Sequence, residues 1–568
     1  MTDTDSPGSP ANPTSWLRDL LLLAVVFGAG FGFALGRAPL AGHDEGRYAE
    51  IPREMLATGD WVTPRLDGVA YFEKPPLVYW MVAAGMAAFG PGEGSLRAVP
   101  AFFGVLGVLL TYAAARALRG RIAGVAAAVV LGTSLLYFAH ARLLLLDMAV
   151  AVLMSATLFL FILAVREPPG RNRRLLLYGM YASAALATLT KGLIGFLLTG
   201  AVMVAWLALC GQWRRLRPLH LPTGGLLFLA IAAPWHILVA RRNPTWAHFY
   251  FIHEHWERFT TTEHHRDGPW WYFIPIVLLG LFPWTGFLWP ALREALAGGW
   301  SRRRENAQMA FFAVWAGFVF LFFSKSHSKL IPYIIPVFPP LAVITGAWLA
   351  RRWTEAAGAP LRGGLRLFAL ACGLLAVALC VVALDPGLIR SMDDAQAELL
   401  RPFEFSLAAI LAAGAGASLW LQRSSGPRAA LGAVVATAFL FYGGLALATG
   451  DIQPPGTREI ARVASREMRP GDRVFHYHAF FQDFAFYARR LYGTVAFTGD
   501  ELELPNDPAA RASGRFIGEA DFRSQWTGPG RILVVARKRD VGELFADPSF
   551  HYHLLAVTAD HYLFTNQP

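Results

Sequence analysis

Apolar runs of roughly 17 to 22 residues recur along this chain up to about residue 450, the length an α-helix needs to cross about 30 Å of hydrocarbon. A soluble chain of comparable size alternates polar surfaces with apolar runs of about 4 to 8 residues. Inside a bilayer the backbone finds hydrogen-bond partners only within helices or closed barrels, and runs this long select helices. The architecture is that of a polytopic α-helical membrane protein. The first run, 16–36, follows a polar, acidic leader without a basic stretch, so it reads as a spanning helix and not as a cleaved signal peptide. Residues 1–14, rich in Ser, Pro and Asp, read as a disordered tail.

A net charge of +11 invites a nucleic-acid reading, but the arginines fall in short clusters between apolar runs, where they act as orientation signals. We expect no nucleic acid as partner. The run at 75–89 decides the topology. If it lies in the interface without crossing, the remaining spans fall near 97–117, 121–139, 148–165, 174–190, 193–209, 222–239, 270–292, 307–324, 331–349, 365–384, 403–421 and 428–449. With the N-terminus inside, the clusters around Arg116, Arg171, Arg214, Arg302, Arg351 and Arg423 then share the inner side. Counting 75–89 as a span scatters them. About 13 spans result, with the C-terminal part outside.

That topology collects the unusual chemistry on the outer face. Only 16% of the chain is charged, yet GHDEGRYAEIPREMLATGDWVTPRLDGVAYFEKPPLVYW (42–80) interleaves acids and bases with aromatics, the composition of a pocket and not of a solvated connector. Asp44–Glu45 lies just beyond the first span and suits a metal ligand, a base or an anchor for a cationic substrate. Asp147 closes the apolar stretch ARLLLLDMAV, where a carboxylate is costly unless paired or used. The same Asp is also placed to cap the following helix. Lys74 and Lys191 end apolar segments, where a lysine can simply snorkel to the interface. Together with Arg258 and Arg266 they compose a cationic cluster at headgroup level, suited to phosphate. SKSHSK (324–329) adds Lys325, His327 and Lys329, with Tyr333 after it.

The stretch 248–265, HFYFIHEHWERFTTTEHH, is rich in His and Glu, but its spacing is not that of a zinc protease. No phosphate-cradling glycine motif and no nucleophile elbow occur, so no nucleotide is expected and serine hydrolysis has no support. A secondary transporter of similar span number would show paired halves with ionisable groups near the midplane. Here no repeat appears, and the ionisable groups gather at span ends. From about 451 the composition turns polar. Helical patterns at 457–468 and 481–490 and strands near 473–478, 531–536 and 553–557 predict a small α/β domain. Cys210, Cys372 and Cys380 lie in or beside apolar runs and suggest neither disulfides nor a zinc knuckle.

The first-loop motif, together with ARLLLLDMAV, ALATLTKGLIG, the His/Arg loop at 248–266 and SKSHSKLIPYIIP, resembles the bacterial lipid A aminoarabinose transferases. These belong to the protein O-mannosyltransferase superfamily, with the GT-C membrane glycosyltransferase fold. The resemblance covers about four fifths of the chain. Between the disordered tail (1–14) and the α/β domain (451–568) that composition marks on the periplasmic side, it implies a transmembrane catalytic domain (15–450) whose first periplasmic loop (38–96) carries interfacial helices. It implies an inverting enzyme of the bacterial inner membrane, acting as a monomer among membrane lipids. That enzyme moves 4-amino-4-deoxy-L-arabinose from undecaprenyl phosphate to lipid A phosphates at the periplasmic face. The same chemistry with another sugar, glycolipid or protein hydroxyl is the alternative.

By resemblance, Asp44 activates the acceptor or holds the donor amine, and Asp147 orients the sugar or the cations. Lys74, Lys191 and Arg258 receive the donor phosphate, with Tyr333 and Arg266 assisting. Glu73 and His253, completed by His478 or its neighbour His476, form a zinc site that is structural rather than catalytic.

Overall fold

The computed structural model describes residues 13–40, 42–213, 218–252, 268–297, 299–354, 359–388, 394–453, 456–497, 502 and 507–568. The chain forms two compact units, one built from 1–35, 97–236 and 251–452 and the other from 36–96, 237–250 and 453–568. The loop 36–96 therefore compacts with the C-terminal segment, although 15–450 reads as one domain in sequence.

The first unit is a helix bundle. Among the described residues nine helices are long and apolar enough to cross a membrane, or ten if the bent pair Phe273–Gly280 and Thr285–Ala295 counts as one. All thirteen stretches expected to span are helical, and the shortfall has local causes. The expected span 121–139 is broken into Arg121–Gly132 and Leu135–His140, and 270–292 bends by 106°. Thr133 and Ser134 turn their hydroxyls back onto the carbonyls of Val129 and Val130, which competes with continuation of the helix.

The two breaks then satisfy each other. The Leu135 amide donates to the Phe282 carbonyl at 3.0 Å, and Trp284 Nε1 donates to Thr133 Oγ1 at 2.8 Å. The Tyr442 hydroxyl lies 3.0 and 2.9 Å from the carbonyls of Thr133 and Phe282. Helix breaks at such depth persist only when the freed backbone groups find partners in the protein. The two remaining stretches are the Arg171–Lys191 helix, which opens on RNRR, and Ile194–Cys210, which has 17 residues.

Leu146–Arg166 and the Ile331–Trp353 region are buried along most of their length and form the centre of the bundle. Small residues allow the close approach. A Cβ on Gly346 would come within 2.4 Å of the Ala127 backbone nitrogen, the small-residue packing that replaces hydrophobic drive between membrane helices. The first helix, Pro13–Gly32, is pinned by a buried carboxylate. Asp19 Oδ2 accepts from Tyr112 at 2.8 Å, Arg116 at 3.0 Å and Arg121 at 2.7 Å. Two arginines read from sequence as orientation signals thus also neutralise an acid inside the first span.

The second unit begins with the Gly42–Thr58 helix, a hairpin of β1 (Arg65–Leu66) and β2 (Val69–Ala70), and the Leu77–Phe89 helix. The last has 13 residues and rises about 20 Å, short of the roughly 30 Å core, in keeping with an interfacial helix. The C-terminal segment supplies β3 (Arg473–Tyr477), β4 (Gly493–Val495), β5 (Phe516–Ile517), β6 (Ile532–Arg537), β7 (His553–Val557) and β8 (His561–Thr565). They form one sheet in the order β5-β4-β3-β6-β8-β7, parallel from β5 to β6 and antiparallel beyond. Phe475, Val534, Phe522, Trp526 and Phe564 fill its core. The α/β prediction holds, with β4, β5 and β8 added.

Candidate functional site

In the second unit the Gly42–Thr58 helix presents Asp44 and Arg47 one turn apart, and the segment leaving the hairpin brings Tyr71, Glu73 and Lys74 beside them. Arg47 Nη1 donates to the Tyr71 hydroxyl at 3.0 Å and lies 3.6 Å from Glu73 Oε1, while its Nη2 lies 3.7 Å from Asp44 Oδ1. Lys74 Nζ donates to its neighbour's carbonyl at 3.0 Å and sits 3.5 Å from the Glu73 carboxylate. Burial works against the Arg47 charge, but Tyr71, Glu73 and Tyr48 outweigh it and push its pKa well up. The result is two cations and two carboxylates on one wall, with Asp44 open to solvent and the others largely covered. Such a wall can hold a phosphate on the cations while a carboxylate stays free for a second group.

Helix packing fixes this wall. Gly46, between Asp44 and Arg47, rests on the backbone of Gln482 and Asp483, where an added Cβ would come within 2.6 Å of the Asp483 amide nitrogen.

In the bundle, Asp147 stands in the first turn of Leu146–Arg166 and Lys191 is the last residue of Arg171–Lys191. Their ion pair closes at 2.5 Å, and Lys191 Nζ also lies 4.9 Å from the centre of the Tyr333 ring. Three residues expected at the site thus meet here. Lys329 is buried nearby in sequence and donates to the Ser326 carbonyl, while Lys325 and His327 are more open.

His253, Arg258 and Arg266 lie outside the described residues. Of the expected zinc ligands, Glu73 is engaged by Arg47 and Lys74, and His478 Nε2 lies 3.4 Å from Glu519. Among the described residues no three His, Cys, Asp or Glu come together as a metal site. The described side chains alone do not assemble the expected zinc site.

His476, the alternative ligand, is fully buried. It stacks on Tyr492 at 3.6 Å and accepts from the Phe481 amide at 3.2 Å through Nδ1. Burial, with His561 close by, holds its pKa well below the usual 6.5, and burial also lowers His561. A neutral native histidine contributes stability that is complete above about pH 6.5 and is lost as pH falls toward the depressed native value. Asp483, pushed up by burial, acts in the opposite sense. We expect the melting midpoint to drop with acidification below about pH 6.5 and His476→Phe to flatten that drop. An unchanged pH slope in the variant would refute the assignment.

Arg47 was not singled out in the sequence. Its signal was its place three residues after Asp44 in GHDEGRY, which puts both on one helical face.

Residues 73–238 match the family model described as dolichyl-phosphate-mannose-protein mannosyltransferase. Over 98% of its length the chain superposes on ArnT from Cupriavidus metallidurans bound to undecaprenyl phosphate, covering 99% of that chain with a TM-score of 0.84 and 28% identity. Bundle, loop and α/β segment together make this a membrane protein of the GT-C glycosyltransferase class. An undecaprenyl phosphate-alpha-4-amino-4-deoxy-L-arabinose arabinosyl transferase from Aeromonas salmonicida is 35% identical over 386 residues, 66% of this chain and 67% of that one. The chain belongs to that arabinosyl transferase family. The corresponding protein of Edwardsiella ictaluri is 33% identical over 343 residues, and there the chain spans 61% of its relative's length.

Proposed function

We propose that this protein transfers 4-amino-4-deoxy-L-arabinose from undecaprenyl phosphate to a phosphate of lipid A at the periplasmic face of the bacterial inner membrane. The observation that carries the reading is the paired acid–cation chemistry at Asp44–Arg47–Glu73–Lys74, in a chain that follows an undecaprenyl-phosphate-bound relative over nearly its whole length.

In the reaction a phosphate oxygen of the acceptor attacks the anomeric carbon. The bond from that carbon to the donor phosphate oxygen breaks, and undecaprenyl phosphate leaves with the electron pair. Attack opposite the leaving group inverts the centre. The acceptor is already an anion, so electrostatic positioning contributes more than proton removal. Within the loop unit, Lys74 and Arg47 take the role of phosphate-binding cations, and Asp44 holds the donor ammonium or orients the acceptor. Within the bundle, Lys191 serves a phosphate while Asp147 and Tyr333 fix its ammonium; Arg258 and Arg266 are further phosphate ligands.

A zinc ion on Glu73, His253 and His478 would brace the loop without entering the chemistry. Metal analysis of purified protein and of Glu73→Ala checks this, and zinc-free wild type rules it out.

The deciding measurement is mass spectrometry of lipid A from a host lacking its own aminoarabinose transferase, with and without this gene. A gain of one pentosamine per phosphate, with polymyxin resistance, is expected. No gain despite good expression and available donor would redirect the assignment to another sugar or acceptor.

A further inference from the structure

The turn between β1 and β2 is Asp67–Gly68, both with positive φ (52° and 74°). This is the pair favoured at the solvent-exposed tip of a two-residue hairpin. Here the tip is not in solvent. Asp67 is fully buried, and the C-terminal segment surrounds it. Its Oδ1 accepts from the Tyr492 amide at 3.0 Å and its Oδ2 lies 3.3 Å from Arg515. Arg515 also donates to the carbonyls of Asp67 and Tyr492, both at 2.9 Å. A Cβ on Gly68 would fall 2.7 Å from the Arg515 guanidinium and displace it, and the positive φ strains any other residue there. From the other side, the Gly68 amide donates to Glu54 at 2.9 Å.

Three residues on, a second tether holds the outgoing strand. Asp507 accepts the Ala70 amide at 3.0 Å through Oδ2 and the Ala510 amide at 3.0 Å through Oδ1. Arg65 Nη1, across the hairpin, lies 3.5 Å from the same carboxylate. The chain then runs directly into Tyr71, Glu73 and Lys74, which hold Arg47 and present the Lys74 ammonium.

We propose that Asp67, Arg515 and Asp507 are positioning residues of the transfer reaction. They form a latch by which the C-terminal segment sets the position of the Tyr71–Lys74 segment. The inference rests on the function proposed above. The latch touches no substrate and acts through Lys74 and Arg47. A displacement of about 1 Å at a reacting group is enough to cost rate without abolishing binding.

The test uses full-length Arg515→Ala, Arg515→Lys and Asp507→Ala in lipid nanodiscs, with undecaprenyl-phosphate-linked aminoarabinose and lipid A. Melting temperature, kcat and donor KM are read for each. Arg515→Ala should lower kcat about tenfold or more with donor KM changed less than about threefold, and Asp507→Ala should behave alike. Arg515→Lys keeps a charge against Asp67 and should recover most of the lost kcat. A folded Arg515→Ala protein with wild-type kcat overturns the latch, and so does failure of all three variants to fold, which would mark a purely structural core. Wild type that transfers no sugar overturns the functional reading, and the latch with it.

Discussion

Lys74→Ala is expected to cut sugar transfer by about 10²- to 10³-fold while the protein still inserts and melts near the wild-type temperature. The lysine is largely covered, its polar contacts include its own neighbour's carboxylate and carbonyl, and Glu73 keeps Arg47 as a counter-ion when the lysine is lost. Its contribution is to the phosphate that gains charge as the anomeric bond breaks. Stabilisation aimed at developing charge appears in kcat more than in KM. Asp44→Asn keeps the shape and removes the charge of the most exposed member of the same wall, and should lose about 10²-fold through mispositioned substrate. Initial rates on purified, folded variants decide. Near-native rates in either would remove this wall from the chemistry.

The second large effect lies in the bundle. Lys191→Ala leaves Asp147, only 14% exposed, without its counter-ion, and a covered carboxylate stripped of its partner costs up to about 3 kcal/mol. Lys191→Ala should therefore melt lower than wild type. The double variant Lys191→Ala/Asp147→Ala should recover much of that loss while remaining inactive. That split separates the stabilising role of the pair from its proposed role toward substrate. A double variant as labile as the single one would place the cost elsewhere, in the packing of the two helix ends.

Much of this was legible in the sequence, because the bilayer imposes a length on every span and a cost on every stray charge. Asp147 reads as a carboxylate that is costly unless paired, and Lys191, which the sequence alone allows to snorkel, is its partner. The Arg473–Tyr477, Ile532–Arg537 and His553–Val557 strands showed as short β-rich runs. What was hidden depends on distant partners. Thr133 and Ser134 look like ordinary span residues until Phe282, Trp284 and Tyr442 make a break there tolerable. Asp19 reads as a polar residue near a helix start, although two arginines about a hundred positions away neutralise it. Asp67–Gly68 reads as an exposed turn because the signal for a tight hairpin is local, while its burial is decided by Tyr492 and Arg515. His476 looks like a ligand by residue type, and only its aromatic surroundings make it a core residue.

The loop unit draws on segments 36–96 and 453–568, and this has a consequence in time. About 360 residues separate the end of the first segment from the start of the last, and at about 5–20 residues per second the ribosome needs about 20–70 s to deliver them. For that interval the hairpin tip has been made, but neither Tyr492 nor Arg515 yet exists to receive it. The reactive wall is thus completed only at the end of synthesis, and a chain truncated before 453 carries Asp44 and Lys74 without the groups that hold them in place.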